Sequence, residues 1–406
     1  MTASAQHEIV IVGGGPVGAT LALALAQDGR SALLLESREE PARTDDPRAL
    51  ALSAGSRLIL ERVGVWQDIA SLTPIATIHV SHRGGFGRTL LTAASAGLPA
   101  LGYVTPYASL QKALSQALAA SPAVRVLAGT AATKLTASEE SIEVALDKPS
   151  IAVQAKLAVI ADGGSGLAGI AEVEMRDYGQ SAVVSRVVAS KPHRNVAFER
   201  FTPEGPLALL PHGDAYALVW TVAPTAAEEL CAATERAFLE RLQQAFGQRA
   251  GTFLQAGPRA AFALRLRVAK HLPIGRTLLL GNAAQALHPV AGQGLNLGLR
   301  DAWDLAECIH AGSGDPGRVE LIDAYARARR RDRAGGIGLT DALVRVFSND
   351  LFPLRWLRGC GLTLIDCLPP AKRAFIRQMA FGRPRRTSRR GRDDGKISPG
   401  TLLWLR

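Results

Sequence analysis

The sequence predicts an α/β fold in which a strand–helix–strand unit opens one domain, which is joined to a second, sheet-rich domain. Three segments predict the unit: the β-branched run IVIV at 9–12, the Ala- and Leu-rich stretch 16–27 and SALLLE at 31–36. They have the composition of a buried strand, a buried helix and a second parallel strand. Strand-like runs within 182–266 predict the second sheet. A chain of 406 residues, 47% of them hydrophobic, is long enough for two joined domains.

The rest of the chain alternates between further strands and helices. Apolar or alternating runs predict strands, and stretches with apolar residues three or four apart predict helices. Pro353 and the pair Pro369–Pro370 are expected to break the last helical region, because proline ends a helix. Strands are predicted at 75–82, 124–127, 142–146, 151–153, 157–161, 182–189, 215–221 and 277–280, and helices at 57–63, 109–120, 235–245, 299–310 and from 321 to about 381.

The formal net charge is +11 and the pI is about 9.9. Residues 383–396 hold seven basic and two acidic side chains, so the C-terminal tail carries a net charge of +5. This balance permits attraction to anionic lipid, anionic cofactors or nucleic acid. Because the basic residues lack interleaved aromatic side chains, we expect no nucleic-acid partner.

The four cysteines form no CxxC pair and have no histidine cluster beside them. We therefore expect buried reduced thiols and no metal site. The N-terminus lacks the pattern of a signal peptide, and no run of ~18 apolar residues predicts a spanning helix. These features predict a cytoplasmic protein, with contact to a membrane surface left open.

A glycine motif follows the first predicted strand and points to a dinucleotide. Gly13, Gly15 and Gly18 have the spacing that permits a tight turn, close approach of the backbone to a pyrophosphate and close helix packing. Glu36 ends the second strand, where a carboxylate accepts hydrogen bonds from ribose hydroxyls and disfavours a 2′-phosphate. The motif alone does not separate FAD from NAD, and an accidental glycine turn is its structural alternative. No hydride-transfer domain with its own catalytic residue is apparent.

Further segments carry a resemblance to a known family. They are RALALS at 48–53, VIADG at 159–163, FERFT at 198–202, GPLALLP at 205–211, GNAAQALHPVAGQGLNLG at 281–298 and GLTDALV at 338–344. With the opening glycines they resemble the ubiquinone-biosynthesis branch of the para-hydroxybenzoate hydroxylase class of flavoprotein monooxygenases, over about residues 8–382. The resemblance implies a Rossmann-like FAD-binding domain of the glutathione-reductase type, interleaved with a β-sheet substrate domain and followed by C-terminal helices.

The same resemblance sets the domain boundaries that we expect. The FAD-binding domain would be made of three separate parts, between which the substrate domain is inserted twice. The FAD-binding parts are 1–75, 107–170 and 271–315, the substrate-domain parts are 76–106 and 171–270, the C-terminal helical region is 316–382, and 383–406 is a basic tail expected to be disordered.

The resemblance also implies which residues meet FAD. Gly281 and Asn282 would lie along the ribityl chain, and residues 292–296 would present backbone N–H groups and a helix N-terminus to the pyrimidine edge of the flavin. Pro289 would lie near the reactive face and help to exclude water. The implied cofactor-binding residues are Gly13, Gly15, Gly18, Glu36, Arg48, Gln111, Asp162, Gly281, Asn282, Pro289, Gly292, Gly294, Leu295 and Asn296.

Several of these assignments have plain structural alternatives. Arg48, expected at the pyrophosphate, could be a solvated loop arginine, and Asp162 could belong to a simple turn. Gln111, expected to hydrogen-bond the cofactor, could be an exposed helix position. His288 is a candidate at the flavin face, but we favour a structural role because the class needs no base there.

The chain departs from the class pattern in two places. The serine and arginine that usually follow the Asp-Gly pair are replaced by Gly166 and Gly169, with Ser165 displaced by one position. The usual Gly-Asp at the ribityl contact is Gly281-Asn282, whose amide can still donate to and accept from a hydroxyl.

The implied reaction is the hydroxylation of an aromatic ring. NADPH or NADH would reduce FAD, and a C4a-hydroperoxide formed with O2 would deliver OH to a polyprenylphenol, such as 2-polyprenyl-6-methoxyphenol, para to its hydroxyl. The pocket would lie between the flavin and the second sheet. Its candidate lining residues are Phe201, Leu209, Pro211 and Trp220, each with core packing as the alternative.

Other interpretations remain beside this one. A sibling enzyme acting at another ring carbon, and a flavin-bearing scaffold that joins other ubiquinone-biosynthesis proteins with little turnover of its own, are both compatible with the sequence. A flavin halogenase is disfavoured, since WTVAP at 220–224 matches only part of the Trp-x-Trp-x-Ile-Pro signature.

Apolar residues in the C-terminal region predict contact with a bilayer surface. They lie at 343–347, 351–352 and 356–357, with Arg345, Arg355 and Arg358 interspersed and the basic tail beyond. The alternative is a helical cap on the flavin domain with a solvated tail.

Overall fold

The computed structural model describes residues 6–39, 46–148, 152–164, 167, 169–347 and 352–382. The predicted basic tail, 383–406, lies outside the described residues. The helices are α1 (Pro16–Gln27), α2 (Ala54–Arg62), α3 (Ala93–Ala96), α4 (Tyr107–Ala120), α5 (Pro224–Ala232), α6 (Glu235–Phe246), α7 (Gln293–Ala311), α8 (Val319–Phe347), α9 (Phe352–Cys367) and α10 (Pro369–Phe381).

The strands are distributed over three sheets. They are β1 (Gln6–Val12), β2 (Ala32–Leu35), β3 (Ala49–Ser53), β4 (Thr73–Ile75), β5 (Thr77–His82), β6 (Arg88–Thr92), β7 (Gly102–Pro106), β8 (Val124–Leu127), β9 (Ala132–Ala137), β10 (Ile142–Leu146), β11 (Ala152–Ile160), β12 (Val173–Ala189), β13 (Val196–Thr202), β14 (Gly205–His212), β15 (Ala215–Val222), β16 (Phe253–Ala256), β17 (Ala260–Ala269), β18 (Pro273–Ile274), β19 (Thr277–Leu279) and β20 (Gln285–Ala286).

The opening unit lies in an eight-stranded sheet. Its main path runs β18-β19-β11-β1-β2-β8, with β10 and β9 attached through β11. β1 pairs in parallel with both β11 and β2, and α1 packs against α4 and α7. Burial on both faces explains why residues 9–12 are wholly apolar. The predicted strand–helix–strand unit and the α/β fold class are confirmed.

The prediction of two separate strands at 151–153 and 157–161 is wrong, because both segments belong to one strand, β11, whose two halves have different neighbours. Its first half pairs with the antiparallel β10 and alternates between buried and half-buried residues. Its second half pairs in parallel with β1 and β19 and is buried throughout. Lys156, the exposed residue between the halves, interrupts the apolar run without interrupting the strand.

A nine-stranded sheet holds the second half of the fold, in the order β20-β17-β12-β15-β14-β13-β5-β6 with β16 beside β12. The early hairpin β5–β6 joins it through parallel pairing of β5 with β13. One face of this sheet is covered by two helices, α5 and α6. The sequence predicted α6 but not α5. Buried Phe238, Leu242 and Phe246 of α6 form the core on that side.

A three-stranded sheet, β3-β7-β4, and the C-terminal helices complete the structure. β3 was treated in the sequence only as a motif and β7 was missed. The predicted breaks near Pro353 and Pro369 are confirmed: both prolines stand in the first turn of a helix, where no N–H is needed. α10 packs against α2 and α3. Among the described helices, none is both long and apolar enough to cross a membrane.

Candidate active site

The glycine motif forms a tight turn between β1 and α1, and each of its glycines meets different surroundings. Gly13 has φ +107°, and a Cβ there would lie 2.6 Å from the carbonyl oxygen of Ala161. A Cβ on Gly18 would lie 2.0 Å from the carbonyl oxygen of Gly13, so only glycine fits. Gly15, the N-cap of α1, faces open space. The turn thus leaves room for a phosphate at Gly15, next to the N-terminal N–H groups of α1.

Glu36 lies next to this turn as a buried carboxylate. Its Oε2 accepts a hydrogen bond from the N–H of Gly14 at 2.9 Å, and its Oε1 accepts from the backbone N–H and Nε of Arg38 at 3.0 and 2.9 Å. Burial raises the pKa of Glu36, but the hydrogen bonds from Arg38 and Gly14 outweigh it and hold that pKa below its usual value. The group is therefore an ionised acceptor at the end of β2.

Gln111 supports the glycine turn from α4. It is fully buried, and its Nε2 donates to the carbonyl oxygen of Gly14 at 2.8 Å. The alternative of an exposed helix position is therefore wrong. The hydrogen bond fixes the turn directly, so Gln111 orients the backbone of the glycine motif.

Arg48 and Asp162 lie at the rim of the same region. Arg48 pairs with Asp46 at 2.6 Å and stacks over the ring of Tyr107, 4.6 Å from its centroid. Asp162 accepts hydrogen bonds from the N–H groups of Gly164 and Leu167 at 2.8 and 3.3 Å, which makes it the organiser of its loop. Of the loop positions that depart from the class pattern, Ser165 and Gly166 lie outside the described residues, and Gly169 has φ +86°.

A second turn, at Gly281–Ala283, is held by a buried ionic network. Asp301 of α7 accepts from the N–H of Gly281 at 3.2 Å and from Nε2 of Gln285 at 2.7 Å. Arg329 of α8 donates to Asp301 at 2.7 Å and pairs with Asp304 at 2.8 Å. The sequence analysis missed this network, for which the only signal was a set of charged residues on otherwise apolar helix faces.

The predicted cofactor segment 292–296 forms the start of α7. Gly292 has φ +60° and caps the helix. The side chain of Asn296 ties the start of α7 to β3 and α2. Its Oδ1 accepts from the N–H of Ser53 at 2.8 Å and from Oγ of Ser56 at 2.6 Å. Its Nδ2 donates to the carbonyl oxygen of Ala51 at 2.9 Å. Gly294 faces open space. The free N–H groups and the positive end of the helix dipole are thus held in a fixed position.

A cavity of about 750 Å³ adjoins this helix start. β3, Asn282, Pro289 and the first residues of α7 form one wall, and the opposite wall is a face of the nine-stranded sheet that includes Phe201 and Leu210. Residues of α8, α9 and α10 close the space between them. The lining is predominantly apolar, so the dielectric constant inside the cavity is low. The cavity lies between the predicted flavin position and the nine-stranded sheet.

The choice of lining residues on β14 and β15 was wrong. Phe201 lines the cavity as predicted, but Leu209 and Trp220 pack into the core beneath α6, on the opposite face of the sheet. Pro211 is buried but does not line the cavity either. Side chains alternate along a strand, and Leu210 faces the cavity between Leu209 and Pro211. The prediction was therefore displaced by one residue.

His288 is buried behind the flavin side of the cavity. Its Nδ1 accepts from the N–H of Val290 at 3.1 Å, and its ring meets the edge of Tyr178 at 5.2 Å between centroids. Burial lowers the pKa of His288 to about 4. The imidazole is therefore neutral at pH 7, and its hydrogen bond from Val290 holds the Pro289–Val290 turn.

Glu199 is a cavity-lining acid that the sequence analysis missed. It lies on β13 between Val80 of β5 and Ala208 of β14, both of which line the cavity too. Burial raises the pKa of Glu199 to about 7. A signal was present: Glu199 precedes the predicted lining residue Phe201 by two positions, and residues two apart share a strand face.

The C-terminal residues predicted to meet a membrane occupy different environments. Trp356 is 57% exposed, whereas Leu343 lines the cavity and Arg358 is buried, with its Nη1 3.4 Å from Nε2 of His82. The prediction of Arg358 as a surface cation is wrong, because its helix face packs on β5. The side chains of Arg345 and Arg355 lie outside the described residues.

The expectation of buried thiols is also wrong. Cys360 and Cys367 are exposed, Cys231 and Cys308 are half-buried, and none of the four forms a disulfide bond with another described residue.

FAD fits the residues present. Open space at Gly15 beside free N–H groups suits a pyrophosphate, the ionised Glu36 suits a ribose, and the start of α7 beside the apolar cavity suits an isoalloxazine ring. This arrangement agrees with what comparison with known proteins finds.

Residues 6–335 match the FAD binding domain family. The chain is 35% identical to ubiquinone hydroxylase UbiL of Rhodospirillum rubrum, over 91% of this chain and 88% of that protein. It is 33% identical to the 3-demethoxyubiquinol 3-hydroxylase of Escherichia coli, over 91% and 97%. The crystal structure of the p-nitrophenol 4-monooxygenase PnpA from Pseudomonas putida DLL-E4, 18% identical, has the same fold, with a TM-score of 0.76 over 94% of this chain and 100% of that chain. The chain therefore belongs to the FAD binding domain family and is an FAD-dependent monooxygenase.

Proposed function

We propose that this enzyme hydroxylates a polyprenylated phenol in ubiquinone biosynthesis, with NADPH or NADH as reductant and O2 as co-substrate. The substrate that we favour is 2-polyprenyl-6-methoxyphenol, with the new hydroxyl placed para to the existing one. The observation that carries this proposal is the apolar cavity between the start of α7 and the face of the nine-stranded sheet. Relatives named as a ubiquinone hydroxylase and a demethoxyubiquinol hydroxylase support the same class of substrate.

The chain contributes orientation, charge stabilisation and exclusion of water. When bound, FAD would pass the two electrons of NAD(P)H to O2, and one oxygen atom of that O2 enters the ring while the other leaves as water. The N-terminus of α7, with the backbone at Gly294 and Leu295 and the positive end of the helix dipole, stabilises negative charge next to it. Pro289 and Phe201 line the cavity with apolar surface, so a ring bound there is shielded from bulk water. Gly15 and Glu36 hold the dinucleotide.

The cavity also offers a route for a prenyl tail. Val346 of α8 lines the cavity and is 40% exposed, so the cavity reaches the surface beside this helix. Leu343, one turn earlier on α8, and Ile365 of α9 line the path inside. A phenol ring near α7 can thus bind while its isoprenoid chain runs outward between apolar side chains.

We further propose that the eight-stranded sheet belongs to the FAD-binding domain and the nine-stranded sheet to the substrate domain. This division follows the boundaries expected from the sequence, with FAD-binding parts at 1–75, 107–170 and 271–315. It is supported by the location of Gly15 and Glu36 beside the first sheet and of Phe201 on the second.

An exposed apolar surface supports transient contact with a bilayer, where prenylated phenols reside. Trp356, Leu364 and Leu368 are 57%, 59% and 45% exposed and recur at helical spacing on or just after α9. The ring of Phe86, 44% exposed, lies 4.9 Å from that of Trp356. Exposed Arg373 lies on the neighbouring α10, as expected for a surface that meets anionic lipid.

Flotation with vesicles of anionic phospholipid tests this surface. The double variant Trp356→Ser/Leu364→Ser should float several-fold less than the wild type, and removal of residues 383–406 should reduce flotation further if the basic tail contributes. Equal flotation of the double variant would remove α9 from the membrane contact, and equal flotation without the tail would remove the tail.

Turnover by the purified protein tests the function. The wild type should be yellow, and 2-prenyl-6-methoxyphenol should accelerate its NAD(P)H oxidation and acquire one oxygen para to the hydroxyl, as located by NMR of the product. Gly15→Asp is the matched control, because its carboxylate would stand where the pyrophosphate binds; it should fold and be colourless. Oxygen at another carbon would favour the sibling hydroxylase. No stimulation by any prenylphenol would favour the scaffold.

A further inference from the structure

One carboxyl group, Glu199, lies in the apolar wall of the cavity. Its strand, β13, runs between β5 and β14, and Val80 and Ala208 are its cross-strand neighbours. Ala197 and Phe201, two residues away on either side, line the cavity with it. The accessible surface that Glu199 retains therefore belongs to the cavity, on a wall made of apolar side chains.

The charged groups around this wall belong to other contacts. On the cavity side, Arg358 of α9 is buried against His82, which lies two residues beyond the cross-strand neighbour of Glu199. Arg200 follows Glu199 on the strand and faces the other way, and on that side Arg249 bonds His79. Across the described residues, no ion pair or hydrogen bond of the Glu199 side chain is found.

The remaining elements around the cavity present mainly apolar surface to it, with Ser53, Asn282, Gln293 and Asn296 as polar side chains on the wall formed by β3 and the start of α7. They contribute Val290 from the turn before α7, Leu343 from α8 and Leu362 from α9, while Thr89 of β6 donates its hydroxyl hydrogen bond to the carbonyl oxygen of Leu362 at 2.7 Å. A carboxylate in such surroundings is poorly solvated and is a stronger base than one in water. Burial accordingly raises the pKa of Glu199 to about 7.

We propose that Glu199 is the catalytic base that takes the proton of the substrate's phenolic hydroxyl. This inference rests on the proposed function. The phenolic O–H bond breaks as a carboxyl O–H bond forms on Glu199, and the electron pair left on oxygen enters the ring and enriches the para carbon that is attacked. Oxygen transfer breaks the O–O bond of the peroxide that O2 and reduced FAD would supply. The ring carbon then loses its hydrogen as a proton, which neutralises the oxyanion left by that cleavage, and the ring becomes aromatic again. The proton on Glu199 then returns to the phenolate oxygen, so the carboxylate is regenerated.

The location of Glu199 explains why a base of this kind is useful. A phenol has a pKa of about 10 and is almost wholly neutral at pH 7, and a neutral phenol donates less density to the ring than a phenolate does. A base whose pKa lies near the working pH combines a large ionised fraction with useful basicity. Transfer from substrate to Glu199 inside the apolar cavity also leaves the proton available for its return.

Glu199→Gln tests this proposal against substrates of different acidity. The variant keeps the size of the side chain and should keep its flavin. With the ordinary phenol at pH 7 its rate of product formation should fall by about 100-fold, the scale of general-base catalysis. With a ring-fluorinated phenol that ionises below neutral pH, the ratio of wild-type to variant rate should approach one, because the substrate arrives without its proton. A structural role would give the same ratio for both phenols.

The pH profile gives a second readout. In the wild type, kcat/KM for the ordinary phenol should fall as the pH drops below about 7; in Glu199→Gln that limb should move to the higher pH at which the phenol itself ionises. Glu204→Gln, an exposed change in the turn of the same hairpin, is the control and should keep the wild-type profile. An unchanged profile or an equal loss on both phenols in Glu199→Gln would overturn the role of Glu199. Absence of hydroxylation by the wild type would instead overturn the proposed function.

Discussion

Two regions of this enzyme bury carboxyl groups in opposite ways. Near the start of the flavin site, Asp301 receives three donors: Arg329 at 2.7 Å, Gln285 at 2.7 Å and the N–H of Gly281 at 3.2 Å. Across the cavity, Glu199 has apolar strand neighbours on both sides. Burial raises the pKa of both acids, but at Asp301 the three donors oppose that rise, whereas at Glu199 no donor opposes it.

The difference separates a structural acid from a reactive one. Burial by itself lowers the pKa of Arg329, but Asp301 and Asp304 hold it well above its usual value, so Arg329 stays charged and ties the two acids together. Glu199 has no such compensation, and its pKa rises to about 7. A buried acid with its donors in place fixes a turn, whereas an acid without them can exchange a proton within the ordinary pH range.

The largest effect is expected from removing the cation of the compensated region. Arg329→Met should lower the free energy of unfolding by about 3–5 kcal/mol, because it leaves Asp301 and Asp304 buried without their counter-charge. Urea unfolding at pH 7 measures it. Arg327→Met, an exposed position on the same helix, should change the stability by less than about 0.5 kcal/mol. A loss below about 1 kcal/mol in Arg329→Met would show that water or relaxation compensates the network.

A smaller effect is expected from Asp301→Asn, which preserves the shape of the acid. The amide oxygen can still accept one hydrogen bond, but its NH2 group faces donors, so we expect a loss of about 1–3 kcal/mol. The turn at Gly281 should loosen, and the variant should release flavin more readily on dilution. Fluorescence of released FAD measures this. If the variant were less stable but retained flavin as well as the wild type does, the ionic network would have no role in holding the cofactor.

The sequence predicted best where one pattern has one structural solution. The turn around Gly13 and Gly18 could be predicted because any side chain there would strike the backbone. The face of β14 could not be predicted: Leu209 is buried in the core beneath α6 and Leu210 lines an apolar cavity, so both faces of the strand select apolar residues. Alternation shows that every second side chain of a strand lies on the same face. When neither face is polar, it does not show which set of side chains faces the cavity.

The ionic network around Asp301 could not be predicted from the sequence, for a different reason. Asp301 and Arg329 lie on different helices, and nothing in either helix specifies the other as its partner. Glu199, in contrast, was within reach of the sequence. Its two-residue spacing from Phe201 places both on one face, so a correct choice of Phe201 already implied an acid in the cavity.

The last predicted effect is a gain in stability from Glu199→Gln, opposite in sign to the loss expected for Asp301→Asn. The pKa of Glu199 in the folded protein, about 7, exceeds the ordinary value of 4.5. The folded state therefore retains the proton longer than the unfolded state does, and the wild type loses stability as the pH rises from 4.5 to 7. Glutamine does not titrate, so the advantage of the variant should be near zero at pH 4.5, grow up to pH 7 and then remain constant.

At pH 8 we expect the advantage to be about 1–3 kcal/mol, since each unit of pKa shift corresponds to about 1.4 kcal/mol. Thermal unfolding of the flavin-loaded wild type and variant, at pH 5 and at pH 8, measures the difference. The midpoints should nearly coincide at pH 5 and separate at pH 8, with the variant higher. Equal separation at both pH values would mean that Glu199 does not titrate between them, and the contrast with Asp301 would then lose its physical basis.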